Sequence, residues 1–179
     1  MVNGNFGEAT PALILLSGLP GAGKTTFAKA LAAQLDFAHI ESDAIRRALA
    51  PVPRYTTAES GVVFRQVEAD ARAALAAGRH ALIDATNLTN RDRKRFLKLA
   101  GDVGSTLVCV RVTAPEEVIR ARLAAPREGY SQATAEVYEL MRSRPQQFSV
   151  PVVVVDTRFS LEPAVALVRS LVEGAAADG

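Results

Sequence analysis

The sequence predicts an α/β domain in which a parallel sheet is covered by helices on both faces. Three observations carry this. Apolar runs of strand length recur at 12–16, 38–40, 81–83, 106–112 and 150–155, bounded by polar or glycine-bearing turns. Alanine-rich stretches with helical spacing lie between and after them, at 25–35, 43–50, 57–77, 90–100, 115–124, 134–148 and 161–173. The strands read as near-continuous apolar runs, as burial on both faces requires. Strands alternating with helices imply right-handed crossovers and parallel pairing.

The first strand runs into Gly18-Leu19-Pro20-Gly21-Ala22-Gly23-Lys24-Thr25, which matches the pattern G-x-x-x-x-G-K-[ST] and opens the first helix. Glycines let such a loop curl so that successive backbone N–H groups point inward at phosphate oxygens. The helix adds the positive end of its dipole. Lys24 is expected to bridge terminal phosphates, and the Thr25 hydroxyl to hold Mg²⁺. Thr26 is expected on the α-phosphate or in packing.

Glu41-Ser42-Asp43-Ala44-Ile45-Arg46-Arg47 follows the second strand, across the cleft from the glycine loop. Asp43 and Arg46 are three apart and project to one side of a helical turn. A carboxylate there can take a proton from an acceptor hydroxyl, and an arginine beside it can hold an anion. An ordinary helix start, with Ser42 or Asp43 as N-cap, is the competing reading. Next come Arg54 and Tyr55, candidates to line an acceptor pocket with Arg65. The third helix opens at Thr57-Ala58-Glu59-Ser60 and stops at Gly78.

The third strand ends in Asp84, the form of a segment whose acid holds Mg²⁺ through water, with Thr86 and Asn87 as acceptor contacts or turn formers. An unpaired carboxylate at a strand end is costly without a cation or a donor. Asn90 can cap the fourth helix, whose run Arg91-Asp92-Arg93-Lys94-Arg95 with Lys98 reads as a solvated face starting just after Asp84. Cys109 lies in the apolar fourth strand and is expected as a buried thiol. Thr113 and Pro115 mark the start of the fifth helix. That helix ends in Arg120 and Arg122, and Pro126-Arg127-Glu128-Gly129 follows. A segment of this kind over 120–134 suits a lid that carries a guanidinium onto a transferring phosphoryl group. His39 and His80 read as packing or surface residues, not metal ligands.

Composition narrows the function classes. The 179 residues are 49% hydrophobic and 22% charged, a globular composition and the length of one domain, 1–179. Twenty-one Lys and Arg against 19 Asp and Glu leave a formal charge of +2, which disfavours a nucleic-acid coat. The surplus sits on 91–144, with eleven basic against seven acidic side chains, and is expected to mark one anionic site. One cysteine excludes an internal disulfide. No apolar run approaches membrane-spanning length and no leader is evident, so a cytoplasmic protein is expected. An Asn-Lys-x-Asp guanine-reading motif is missing, which argues against a GTPase switch.

The run Gly18 to Thr26, then Ser42-Asp43-x-x-Arg46, then Asp84-Ala85-Thr86-Asn87 and Arg91-x-Arg93, resembles the polynucleotide-kinase and zeta-toxin-like P-loop kinases. The resemblance extends from about Leu13 to about Asp156. It implies the P-loop NTPase fold, with a five-stranded parallel sheet in order 2-3-1-4-5, and ATP-dependent, Mg²⁺-assisted phosphorylation of a hydroxyl. On that resemblance Gly18, Pro20, Gly21, Ala22, Gly23, Lys24, Thr25 and Thr26 bind the nucleotide. Asp43 is the general base, and Arg46 sits on or near the acceptor phosphate. Asp84 joins the metal or acceptor network, and Arg122 or Arg127 is the lid arginine. The acceptor is read as a small molecule or nucleotide-like compound. A 5′-hydroxyl polynucleotide kinase and an ATP-binding regulatory or toxin-type module are the alternatives. Nucleic acid is disfavoured, because aromatics are only 6% and there is no Trp to stack on bases.

Overall fold

The computed structural model describes residues 10–50, 56–125 and 135–175. Five strands, β1 (Ala12–Ser17), β2 (Ala38–Glu41), β3 (Ala81–Asp84), β4 (Thr106–Thr113) and β5 (Val152–Asp156), form one sheet in order β2-β3-β1-β4-β5. Every pairing is parallel. The helices are α1 (Lys24–Ala32), α2 (Ser42–Leu49), α3 (Thr57–Ala76), α4 (Asn90–Val103), α5 (Glu116–Ala124), α6 (Ala135–Met141) and α7 (Glu162–Ala175). Architecture and strand order are those the sequence implies.

Strand side chains alternate between two cores. Ile14, Leu16, Leu82, Val110 and Val112 pack with Phe27 and Leu31 of α1 and Val165, Val168 and Val172 of α7. Leu13, Leu15, Ile83 and Cys109 face Val63, Val67 and Ala71 of α3 and Phe96 and Leu99 of α4. All six residues of β1 are buried, as befits the central strand of a sheet covered on both faces. Burial pushes the Cys109 thiol up to about 11, so it is an inert core residue as expected.

Helix boundaries shift for local reasons. The N-cap of α3 is Thr56, whose side chain accepts from the Glu59 N–H. Thr89, not Asn90, caps α4 through a capping box with Asp92. Pro115 is the N-cap of α5, one place earlier than an N1 proline would be. The largest departure is α6, expected over 134–148 but ending at Met141. Pro145 lacks an N–H and disfavours helix at Arg144, and the freed chain runs back as an irregular segment to β5. Pro151 likewise delays β5 to Val152. Among the described residues no helix is long and apolar enough to cross a membrane.

Candidate active site

The C-terminal ends of β1, β2 and β3 meet beside the N-termini of α1 and α2, and the predicted chemistry gathers there. Gly18 leaves β1 so close to β4 that a Cβ would lie 2.4 Å from the Val112 carbonyl oxygen. Only glycine passes that point. Its N–H donates to the Thr86 carbonyl at 3.0 Å, which ties the loop to the end of β3. Gly23, at φ 102°, turns the chain into α1, and a Cβ there would stand 3.0 Å from the Thr157 methyl.

Curling N–H groups inward turns carbonyls outward, and side chains from neighbouring elements collect on them. Arg122 Nη1 donates to the Gly21 and Ala22 carbonyls, both at 3.3 Å, and to Thr157 Oγ1 at 2.7 Å. Thr157 Oγ1 itself donates to the Ala22 carbonyl at 2.8 Å. Arg122 thus braces the outer wall of the loop in this structure, instead of reaching over a transferring group. Arg127, Arg54 and Tyr55 lie outside the described residues.

Inside the loop, Lys24 Nζ donates to the Gly18 and Leu19 carbonyls at 3.0 and 3.2 Å. Burial lowers its pKa, while the charges of Asp84 and Asp43 push the other way. Both acids therefore bear on one ammonium, Asp84 from the end of β3 and Asp43 from the first turn of α2. Thr25 Oγ1 donates to Asp84 Oδ2 at 2.9 Å. Asp84 is 7% exposed. Burial alone would raise its pKa, but the His39 and Thr25 hydrogen bonds and the Lys24 charge together hold it below the usual carboxylate range. Thr25 and Asp84 are hard oxygen donors at a helix N-terminus. They suit Mg²⁺, which takes few protein ligands and completes its shell with phosphate oxygens and water. Among the described residues no three His, Cys, Asp or Glu side chains form a cage of their own.

Glu41 and Asp43 flank the opposite lip. Burial raises the Glu41 pKa, Asp84 and Asp43 add to the rise, and His39 and Lys29 oppose it. Asp43 is half-buried in the first turn of α2, and Thr26 is exposed on α1.

The structure does not bring every expected residue to this cleft. Arg46 is 6% exposed, and its Nη1 pairs with Glu59 Oε1 of α3 at 2.5 Å. It fastens α2 to α3. Asn87 is wholly buried, at φ 44°, and its Nδ2 donates to the Leu16 carbonyl at 2.7 Å. The basic run is divided as well. Arg93, 3% exposed, donates to the carbonyls of Asn87, Leu88, Gln146 and Gln147, and lies over the Phe148 ring. Arg95 pairs with Glu68, Lys98 with Asp102, and Arg120 and Arg142 with Glu116 and Glu139. Among the described residues, the basic side chains over 91–144 that have partners do not converge on one anionic site. Of these, Arg93, Arg95, Arg120, Arg122 and Arg142 instead bond carbonyls or carboxylates, most of them on neighbouring elements.

Sequence reasoning also missed a residue. His39, read as a packing or surface residue, stands with Nε2 3.4 Å from Asp84 Oδ2 and Nδ1 3.5 Å from Glu41 Oε1. Its signal was the period of two in His39-Ile40-Glu41, which puts both side chains on one face of β2.

The family model described as AAA domain matches residues 13–148. An uncharacterized protein of Mycobacterium tuberculosis (strain H37Rv) is 31% identical over 150 residues, covering 76% of this chain and 30% of that protein. The chain thus spans under a third of that relative's length. Among solved structures, a sugar kinase from Janibacter sp. HTCC2649 superposes at TM-score 0.70 and 17% identity, covering 91% of this chain and 95% of that one. The Mycobacterium tuberculosis APS kinase, solved with AMPPNP and APS, does so at TM-score 0.69 and 18% identity, covering 92% and 98%. These likenesses establish the P-loop fold.

Proposed function

Since the chain belongs to the AAA domain family, we propose that it is an ATP-dependent kinase that transfers the γ-phosphoryl group to a hydroxyl of a small-molecule or nucleotide-like acceptor. The observation that carries the reading is the placement of two acids around one lysine. Asp84, bonded to Thr25, and Asp43, on α2, both act on the Lys24 ammonium. An acid in the first turn of α2, in addition to Asp84, supplies a base for an acceptor hydroxyl.

Residues 18–26 cradle the phosphates through backbone N–H groups and the α1 dipole. Lys24 exchanges the carbonyls of Gly18 and Leu19 for phosphate oxygens. Thr25 and Asp84 are the residues that would hold Mg²⁺, which when bound neutralises charge on the β- and γ-phosphate oxygens. Asp43 orients the acceptor hydroxyl and takes its proton as the oxygen bonds to the γ-phosphorus. The bond from that phosphorus to the β-phosphate bridging oxygen breaks, and ADP leaves. Arg46, held by Glu59, sets α2 and so the position of Asp43, while Arg122 keeps the loop curled from outside. Thr86 anchors the loop through its carbonyl, which accepts from the Gly18 N–H, and remains a candidate acceptor contact. Arg127 and Tyr55 remain the candidates for lid and acceptor contacts.

Acceptor-dependent label transfer from γ-labelled ATP tests this. The protein is incubated with Mg²⁺ and either a pool of small hydroxylated metabolites or a 5′-hydroxyl oligonucleotide. Label in the small-molecule fraction is expected. Label on the oligonucleotide would reassign the acceptor, and ATP binding without any transfer would leave a nucleotide-binding module.

A further inference from the structure

The β2–β3 register sets Glu41 beside Asp84 and His39 beside Leu82, so His39, Glu41 and Asp84 share the sheet face that carries α1. The imidazole lies between the two carboxylates, with Nε2 3.4 Å from Asp84 Oδ2 and Nδ1 3.5 Å from Glu41 Oε1. The edge-on ring of Phe37, 6.2 Å between centroids, limits its swing. Thr25 reaches the same Oδ2 from α1. The Thr25 hydroxyl and the imidazole Nε2, from different elements, therefore converge on one carboxylate oxygen. Among the described residues Oδ1 accepts no hydrogen bond, so its lone pairs would be available to the shell of a bound Mg²⁺.

We propose that His39 is a positioning residue: its Nε2–H fixes the Asp84 carboxylate so that Oδ1 is presented to the Mg²⁺ shell of bound nucleotide. The inference rests on the kinase reading above. Outer-shell hydrogen bonds of this kind orient ligating carboxylates and tune affinity for the metal. Thr25 alone cannot do this, because one bond leaves the carboxylate free to rotate about it. Glu41 Oε1, 3.5 Å from Nδ1, flanks the ring on its other side.

Two amide variants of the full chain separate reach from mere polarity. His39→Gln can carry an N–H donor to the place of Nε2, whereas the shorter amide of His39→Asn stops near the place of Nδ1. A fluorescent ATP analogue is titrated first with EDTA present, then with Mg²⁺ at fixed nucleotide. Bound Mn²⁺ is counted by paramagnetic resonance, and kcat and KM are measured separately. Metal-free affinity for the analogue is expected to match wild type in both variants, since the loop is untouched. In His39→Asn the Mg²⁺ half-saturation is expected to rise about tenfold, the lower end for losing an outer-shell partner. Mn²⁺ should weaken in parallel, and His39→Gln should recover most of the loss. Wild-type metal dependence in His39→Asn would overturn the proposal, and so would equal losses in both variants. If wild type itself shows no coupling between Mg²⁺ and nucleotide, the kinase reading falls and takes this inference with it. If wild type couples them and the variants do not differ from it, only the role of His39 falls.

Discussion

Lys24, Thr25 and Asp84 form the centre of the proposed site, and at the scale of single residues the account makes its sharpest claims. Replacing Lys24 with Ala removes the only ammonium inside the loop and should abolish transfer, with the loss seen as weakened ATP binding in a titration. Asp43→Asn should behave differently. It keeps the shape but cannot take the acceptor proton, so ATP affinity should hold while kcat falls by roughly 10²-fold or more. Steady-state kinetics check this, and an unchanged kcat would return Asp43 to an ordinary helix start. Lys24 and Thr25 were legible in the sequence because their motif is contiguous, and the chemistry of a phosphate cradle requires that spacing. Asp84 was legible because an acid closing an apolar strand needs a partner. His39, Arg46 and Asn87 were not. The partners of His39 are set by the register of β2 on β3, and that of Arg46 by the packing of α2 on α3. Asn87 takes a positive φ to reach the carbonyl of Leu16 on another strand. No local pattern encodes such distances.

Elements hold the site through a few tethers. The irregular segment after α6 lies against the end of β3 because Arg93 of α4 donates to carbonyls on both sides, at 87–88 and at 146–147. No carboxylate takes part among these bonds, so the guanidinium acts as a clamp on backbone. Arg93→Met should cost about 3 kcal/mol or more in denaturant unfolding, since several buried acceptors lose a charged donor at once. Thr89→Ala, which removes one half of the capping box of α4, should cost about 1 kcal/mol by the same measurement. The exposed Arg91 belongs to the same basic run without a described tether, and Arg91→Ala should leave stability nearly unchanged. Sequence reasoning treated this run as one solvated face, since nothing local marks Arg93 as the member that turns inward. The Phe148 ring over which it lies comes from 55 residues further along the chain.

The whole molecule is a five-stranded sheet between two cores, and its stability carries a pH signature from His80. The imidazole Nδ1 accepts the Ala12 N–H at 2.9 Å, which joins the start of β1 to the turn before β3. Burial lowers the His80 pKa from its ordinary value of 6.5, against the opposing charges of Asp36 and Glu173. A lowered pKa means that the folded state favours the neutral ring. Its contribution is therefore complete above 6.5 and lost as pH falls through the lowered folded value. Thermal melts should show the midpoint dropping below pH 6.5 in wild type, with the drop reduced in His80→Leu. The parallel sheet and both helix layers were legible because apolar period and turn chemistry act locally in every element. The strand order followed only from the resemblance of the motifs to P-loop kinases, since pairing between strands is long-range. The stop of α6 was harder, since Pro145 competes with a helical pattern that surrounds it. The central claim, that this scaffold presents Asp43 to an acceptor hydroxyl beside a Lys24-bound γ-phosphate, has one direct test. Wild type and Asp43→Asn are each given ATP, Mg²⁺ and the same metabolite pool, and mass spectrometry searches for compounds that have gained one phosphoryl group. The account predicts such a product with wild type and its near absence with Asp43→Asn, at equal ATP occupancy. An equal yield of the product from both proteins would contradict it.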